Sequence, residues 1–448
     1  MESASPRRTG AGSSSMTHVR YLIAFLLFVA TSINYADRAT ISIAAPVMSQ
    51  QLHISTIELG YIMSAFGWSY LVFQLPGGWL LDKFGSKVTY VTAFVLWSVF
   101  TFLLGLVDML PVAFVVEGIF IIRLLIGAAE APSWPANGRV VAAWFPNQER
   151  GTAAAVFSSA QYFGTAFFMP IMGWITQDLG WEYMFTTMGV VGIIAAVFLW
   201  KHLHEPRHHP RISPEELKYL EDGGAITAID SKKAPIKWSY VIELFKSRML
   251  IGVYIGQYAI SCLTVFFLTW FPVYLVRALH FNIKEAGFIA PVPAICGVVG
   301  ALLGGIFSDY LVRKTGSLAL GRKATIIGGM IVAMSILFCN YTQSASVAVF
   351  FMALAFFGKG FGAQGWAVIS DCAPKEIVGL AGGLFNMIGN ISSIVVPITV
   401  GYLLGNSGDV SRWRYVFIFV AANALLAIFS FLFIVTDIKR FVIAKDKA

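Results

Sequence analysis

Apolar runs of about 20 residues recur from Tyr21 to Thr436, each long enough to cross a hydrocarbon core of about 30 Å. No soluble fold can bury so many. Hydrophobic residues fill 57% of the 448 positions and charged residues 12%, about half the charge of a typical soluble domain, so the chain cannot present a polar surface all round. In lipid every backbone amide must be paired within the chain. The long, glycine-punctuated runs lack the two-residue alternation of barrel strands, so they read as helices. The expected spans are 21–46, 56–81, 87–107, 112–136, 149–176, 181–201, 249–276, 285–311, 323–341, 345–370, 377–404 and 413–436. The fold class is therefore an all-α membrane protein of twelve transmembrane helices. The first run contains Asp37 and Arg38, exceeds a signal-peptide core and is followed by no small-residue cleavage pattern, so it is expected to stay as the first helix.

Of the 32 Lys and Arg, 25 fall on the side of both termini, 4 on the other, and Arg38, Arg123 and Lys359 inside the spans. Positive charge gathers on the cytoplasmic side, which places both termini there, in the cell inner (cytoplasmic) membrane. The net charge of +8 then reports topology, and no basic soluble domain remains to bind nucleic acid. Cys262, Cys296, Cys339 and Cys372 are scattered without a C-x-x-C pair and read as core filling.

The expected organisation is a disordered tail over 1–20, a six-helix half over 21–202, a cytoplasmic linker over 203–247, a second six-helix half over 248–438 and a tail over 439–448. In the linker, Ser213-Pro214-Glu215-Glu216 signals a helix start and Gly223 a stop. His202, at the end of the first half, and His204, His208 and His209 in the linker have nothing to fix their spacing, and no metal site is assigned. The halves echo each other. Gly78-x-x-x-Asp82 recurs as Gly305-x-x-x-Asp309 at an offset of 227, and Pro146, Gly151, Phe157 and Gly173 recur as Pro374, Gly379, Phe385 and Gly401 at 228. Two matches at nearly one offset imply duplication, and such parallel repeats carry a substrate site between them near the midplane.

Gly78-Trp79-Leu80-Leu81-Asp82-Lys83-Phe84-Gly85-Ser86-Lys87 resembles the cytoplasmic signature of the major facilitator superfamily, with Ser86 in place of the usual arginine. The resemblance covers nearly the whole chain and implies the major facilitator fold of two pseudo-symmetric halves. A carboxylate at such a helix end can latch neighbouring helices in one state and release them in another, so Asp82 and Asp309 are candidate gating residues.

Five charges lie inside spans: Asp37, Arg38, Arg123, Glu130 and Lys359. Each costs about 2.5–3.5 kcal/mol on insertion scales, so together they call for a shared polar cavity. Arg123 and Glu130 are seven apart, two helical turns, and share one face about 10 Å apart along the axis. Three bases against two acids leave room for a bound anion if both acids are ionised; mutual salt bridging is the alternative. A carboxyl away from water takes a proton readily, whereas one beside a fixed arginine stays ionised until that arginine is engaged elsewhere, which supplies a coupling scheme.

Asn34-Tyr35-Ala36-Asp37-Arg38, Ser64 to Trp68, Glu130-Ala131-Pro132 and Trp144-Phe145-Pro146 resemble the anion:cation symporter family, and within it the transporters of galactonate and of the aldaric acids glucarate and galactarate. That resemblance implies proton coupling at Asp37 and Glu130. It implies sugar-acid binding at Tyr35, Arg38, Tyr70, Arg123, Gln161, Trp366 and Asn386, with helix packing as the alternative for Tyr70 and Trp366. Lys359, in Gly358-Lys359-Gly360-Phe361-Gly362, is a candidate clamp for the second carboxylate of a diacid, with snorkelling as its alternative. Gly360-x-Gly362-x-x-Gly365 matches a dinucleotide pattern but follows no strand, and helix packing explains it better.

The expected function is proton-coupled symport of a sugar diacid by alternating access, with a small organic anion, protons and the bilayer as partners, no cofactor, and a monomer as the default. The alternatives are the same machine carrying galactonate or another monoanion and, from another class, a membrane enzyme or nutrient sensor. No nucleophile with its base and no metal-ligand cluster is seen in the sequence to support an enzyme.

Overall fold

The computed structural model describes residues 16–227, 238–374 and 377–441. Residues 1–15 and 442–448 of the two expected tails, and 228–237 of the expected linker, lie outside the described residues.

Among the described residues the chain is helical throughout. Before residue 203 run α1 (Val19–Gln51), α2 (Thr56–Leu104), α3 (Val115–Glu130), α4 (Ser133–Trp144), α5 (Arg150–Asp178) and α6 (Trp181–His202). Then come two short helices, α7 (Pro214–Asp222) and α8 (Trp238–Lys246). The remainder comprises α9 (Arg248–Thr269), α10 (Phe271–Arg277), α11 (Ile283–Ile289), α12 (Pro291–Thr315), α13 (Leu318–Ala333), α14 (Ala345–Phe361), α15 (Gly365–Cys372), α16 (Val378–Asn390), α17 (Ser392–Leu404) and α18 (Trp413–Phe429). Ten stretches are long and apolar enough to cross a membrane.

Local chemistry sets several boundaries. Ser55 and Glu58 form a reciprocal capping box at the start of α2, and Asn282 and Glu285 form another at α11. The 49-residue α2 is broken at Gly85, whose φ of 79° and ψ of 168° only glycine adopts without strain. The chain turns back there.

Helices from before residue 203 and after 247 are tied at the end opposite the termini. Arg277 donates to the hydroxyls of Ser49 at 2.6 Å and Thr56 at 3.2 Å, and the hydroxyls of Tyr61 and Tyr402 lie 3.0 Å apart. Gly60 of α2 packs on Gly401 of α17, and Gly173 of α5 on Gly287 of α11, so closely that a Cβ at any of the four would meet a backbone carbonyl at 2.7–3.1 Å.

At the terminus-bearing end α7 docks on α1 and α5. Its buried Glu216 accepts from the amides of Val19 (2.8 Å) and Arg20 (3.1 Å), the Thr17 hydroxyl (2.8 Å) and the Arg20 guanidinium (3.2 Å), so an acid of α7 caps the start of α1. Arg20 also reaches Glu149 at 3.0 Å, and the Tyr219 hydroxyl donates to Glu149 at 2.7 Å. Burial alone would push the Glu216 carboxyl up, but those donors hold it below the ordinary glutamate value of 4.5. A depressed carboxyl lends stability that is present above its unfolded value and is lost as pH falls through the folded one. Docking of α7 is therefore expected to weaken only below about pH 4.5, seen as faster hydrogen exchange at the Val19 and Arg20 amides. Glu216→Gln is expected to show that exchange at neutral pH, at a cost on the order of 2 kcal/mol; slow exchange in the variant would remove the capping role.

Candidate functional site

Four of the five charges expected inside the membrane meet in one cluster between α1 and α3. Asp37 and Arg38 sit midway along α1, and Arg123 and Glu130 lie on α3. The Arg38 Nε donates to Glu130 Oε2 at 2.7 Å, with the Arg38 side chain 12% exposed and that of Glu130 fully buried. Asp37 and Arg123 are each 3% exposed. Arg123 lies in the field of both acids, and its Nε and Nη1 have no hydrogen-bond partner. Asp37 stands beside the Thr101 hydroxyl, and Glu130 beside the Asn34 amide.

Aromatic rings line the cationic face. The Arg38 guanidinium carbon lies 4.9 Å from the Tyr35 ring centroid, 4.7 Å from Phe66 and 4.7 Å from Tyr70, and that of Arg123 lies 5.4 Å from Phe66. Such stacking holds a desolvated guanidinium in place without neutralising it, leaving its outer donors available to an anion. Tyr70 is 3% exposed; its ring stacks on Arg38 and its hydroxyl stands beside the guanidinium.

A cleft adjoins this cluster, lined by Tyr35, Gln161 and Thr165 on one side and by Thr264, Phe267 and Phe356 on the other. Gln161 Nε2 is held by the Ser158 carbonyl at 2.9 Å. Lys359, 7% exposed, places its Nζ 5.1 Å from the ring centroid of the cleft residue Phe356 and makes no ion pair among the described residues. Lys359 thus stands behind the wall of the cleft that bears Phe356, and the charged cluster behind the wall that bears Tyr35.

The structure thus gathers Tyr35, Asp37, Arg38, Tyr70, Arg123 and Glu130, and sets Gln161 and Lys359 against one cleft. Trp366 and Asn386 are not joined to the cluster by any hydrogen bond, ion pair or ring contact among the described residues. Trp366 is 47% exposed and packs edge-on against Phe385 at 5.0 Å, and the Asn386 carbonyl accepts from Asn390 at 2.8 Å. Sequence reasoning missed Phe66, which stacks on both arginines, and the polar partners Asn34 and Thr101. Asn34 and Phe66 both stood inside motifs that carried the resemblance, at Asn34 to Arg38 and Ser64 to Trp68, without being assigned a role, and an isolated Thr in an apolar run carries no signal.

Outside the cluster, Asp82 pairs with Arg139 at 2.7 Å. Arg322 bridges Asp309 at 3.0 Å and Asp371 at 3.3 Å, and also reaches the Ser308 hydroxyl. The residues form no cluster of His, Cys, Asp and Glu fit for a metal ion among those described.

A family model described as Major Facilitator Superfamily matches residues 27–321 and 315–445. A probable galactarate/D-glucarate transporter of Escherichia coli strain K12 is 51% identical over 434 residues, covering 96% of this chain and 97% of that protein. A D-galactonate transporter of Escherichia coli O6:H1 is 38% identical over 436 residues, covering 94% and 96%. Among solved structures, a bacterial homologue of the human lysosomal transporter Spinster, inward-facing and unoccupied, superposes with a TM-score of 0.74 at 15% identity, over 93% of this chain and 97% of that one.

Proposed function

The chain belongs to the major facilitator superfamily, and on that premise we propose that it is a proton-coupled symporter that takes up sugar diacids of the galactarate and D-glucarate kind. The observation that carries this reading is the 2.7 Å Arg38–Glu130 pair, its acid fully buried, beside a cleft on whose other wall Phe356 carries the neighbouring Lys359. The relatives' names support the substrate class.

The pair makes proton and anion binding depend on each other. While Glu130 is ionised it occupies the Arg38 guanidinium. A proton on Glu130 ends that attraction, and Arg38 can then take a substrate carboxylate through two parallel N–H bonds. Asp37 lies in the field of Arg123 without pairing with it, so a second acid can take a proton beside the second arginine. Tyr35, Gln161, Trp366 and Asn386 offer hydrogen bonds and stacking to a polyhydroxy chain, while Lys359 meets the second carboxylate. The loaded site is then neutral enough to reorient.

The ten candidate spans become twelve passes when α2 is counted twice, on either side of Gly85, and Arg150–Asp178 is added. They divide into two six-helix halves over 21–202 and 248–438, joined by a linker, with the tails and α7 in the cytoplasm and the chain acting as a monomer in the cytoplasmic membrane. In that orientation the Gly60–Gly401 and Gly173–Gly287 contacts close the outer end. Asp82 and Asp309, with Arg139 and Arg322, act as latches on the inner side.

The test is acidification inside liposomes holding the purified protein and a trapped pH dye. Galactarate or glucarate outside is expected to acidify the lumen; acidification with galactonate alone would keep the mechanism and replace the substrate, and none with any of the three would end the symport reading. Lys359→Gln is expected to cut galactarate uptake roughly tenfold, worth about 1.4 kcal/mol, and leave any galactonate transport unchanged. Equal transport of both by variant and wild type would remove Lys359 from the site.

A further inference from the structure

Among the described residues fourteen buried side-chain nitrogen and oxygen atoms make no well-formed hydrogen bond, and nine of them lie in one region, some with a polar neighbour close by: Asn34 Nδ2, Asp37 Oδ2, Tyr90 OH, Thr101 Oγ1, Arg123 Nε and Nη1, Glu130 Oε1, Ser133 Oγ and Asn137 Oδ1. Buried polar atoms are rarely left unmet, and groups of them lacking protein partners are where internal water is held. Their order along the helices is not random.

Thr31, Asn34 and Asp37 recur every three residues on α1 and form one stripe about 9 Å long. Glu130, Ser133 and Asn137 run along α3 and α4 at the matching spacing. The two rows meet: Asn137 Nδ2 donates to the Thr31 hydroxyl at 2.9 Å, Asn34 lies beside Glu130, and the Tyr90 hydroxyl stands against both Thr31 and Asn137. All of these side chains are at most 4% exposed. Tyr90 is one helical turn from Ser86, which lines a small pocket at the terminus-bearing end with Lys87, Trp144 and His204. There Lys87 Nζ donates to His204 Nε2 at 2.8 Å, and His204 Nδ1 is another of the unpartnered atoms.

We propose that Asn34, Ser133, Asn137, Thr31 and Tyr90 line an internal hydrated path that carries protons between the two acids and the cytoplasm, separate from the route the substrate takes. This rests on the proton-coupled reading above. The need for such a path follows from burial. Asp37 and Glu130 are 3% and 0% exposed, and the Arg38 guanidinium that pairs with Glu130 also stacks on Tyr35, a residue of the cleft wall. A proton leaving by the cleft would have to pass that fixed positive charge, whereas Asn34, Ser133, Asn137, Thr31 and Tyr90 are all uncharged side chains.

The step is a relay. The O–H bond of protonated Glu130 breaks as its proton passes to a neighbouring water, which gives up another of its own protons to the next. The hydroxyls of Ser133, Thr31 and Tyr90 can each accept one proton while donating another, the Asn34 and Asn137 amides orient the waters, and hydronium emerges near Ser86. Glu130 is left ionised and recaptures Arg38. Substrate and proton can then depart independently.

The experiment compares Thr31→Val and Tyr90→Phe, each near-isosteric, with wild type in the same liposomes. Two rates are read: galactarate-driven proton uptake, and exchange of labelled for unlabelled galactarate at equal concentration on both sides, which needs no proton release. The expected result is proton-driven uptake slowed roughly tenfold or more with exchange kept within about twofold of wild type. Both rates unchanged, or both reduced together, would overturn the path. If wild type itself moves no protons with galactarate, the symport reading fails and the path falls with it, whereas unchanged variants beside an active wild type reject the path alone.

Discussion

Arg38→Ala is expected to abolish uptake and to destabilise the protein, and Arg38→Ala with Glu130→Gln is expected to restore the stability without the uptake. The pair spans α1 and α3 at 2.7 Å with its acid fully buried. Removing only the arginine leaves Glu130 charged and unpaired in a medium that solvates it poorly, a loss on the order of 3–5 kcal/mol. Exchanging Glu130 for glutamine in the same chain removes the stranded charge, so most of that loss should return in a thermal melt of the detergent-extracted protein. Transport should not return, because no guanidinium is left to take the substrate carboxylate. Arg38→Lys discriminates further: it keeps the charge but not the planar fork or the stacking on Tyr35, Phe66 and Tyr70, so it should fold normally and bind galactarate more weakly. An Arg38→Ala protein as stable as wild type, or a double variant that transports, would show that the pair is not the coupling element.

This site was half legible in the sequence, and the reason is physical. A charge in an apolar run costs enough that it announces itself, so Asp37, Arg38, Arg123, Glu130 and Lys359 could be picked out by type alone. Their pairing could not. Arg123 shares its helix with Glu130, yet the partner of Glu130 is Arg38, 92 positions away, because the crossing of α1 and α3 decides it. Small polar residues are harder still, since Ser, Thr and Asn in a membrane helix serve equally as packing residues. Thr31, Asn34, Ser133 and Asn137 therefore gave no separate signal, and only their stacking into one column distinguishes them. The boundary between the expected spans 56–81 and 87–107 followed from polar residues, but the backbone stays helical through Asp82, Lys83 and Phe84 and breaks at Gly85 alone. Ten stretches, not twelve, then meet a simple length and hydropathy standard among the described residues, because that break does not end the helix and α5 is not among the ten. Gly173 and Gly401 stood out as a repeated pair; that each packs on a glycine of a helix far away in sequence required coordinates.

Those contacts yield the second large effect. Gly60→Leu combined with Gly173→Leu is expected to hold the outer end open and stop net uptake. A Cβ at Gly60 would lie 2.7 Å from the Pro397 carbonyl oxygen, and one at Gly173 would lie 2.9 Å from that of Ile283. Both obstacles are backbone, so no rotamer change relieves them and the helices themselves must part. The two contacts join α2 to α17 and α5 to α11, so obstructing both separates the outer ends on two sides while leaving the Arg38–Glu130 cluster untouched. Ser64 reports the change: it is fully buried on α2, one turn inside Gly60 on the same face. Introduced as Ser64→Cys, it should react with an externally added, membrane-impermeant maleimide at least roughly tenfold faster in the Leu variants than in the glycine parent, the parent and its four native cysteines setting the baseline. A ligand can only shift an equilibrium whose states it binds differently, so galactarate outside should still bind the opened form although it is not carried across. Slow labelling together with normal uptake would show that the helices absorb the extra volume by bending locally, and that these four glycines do not control the outer gate.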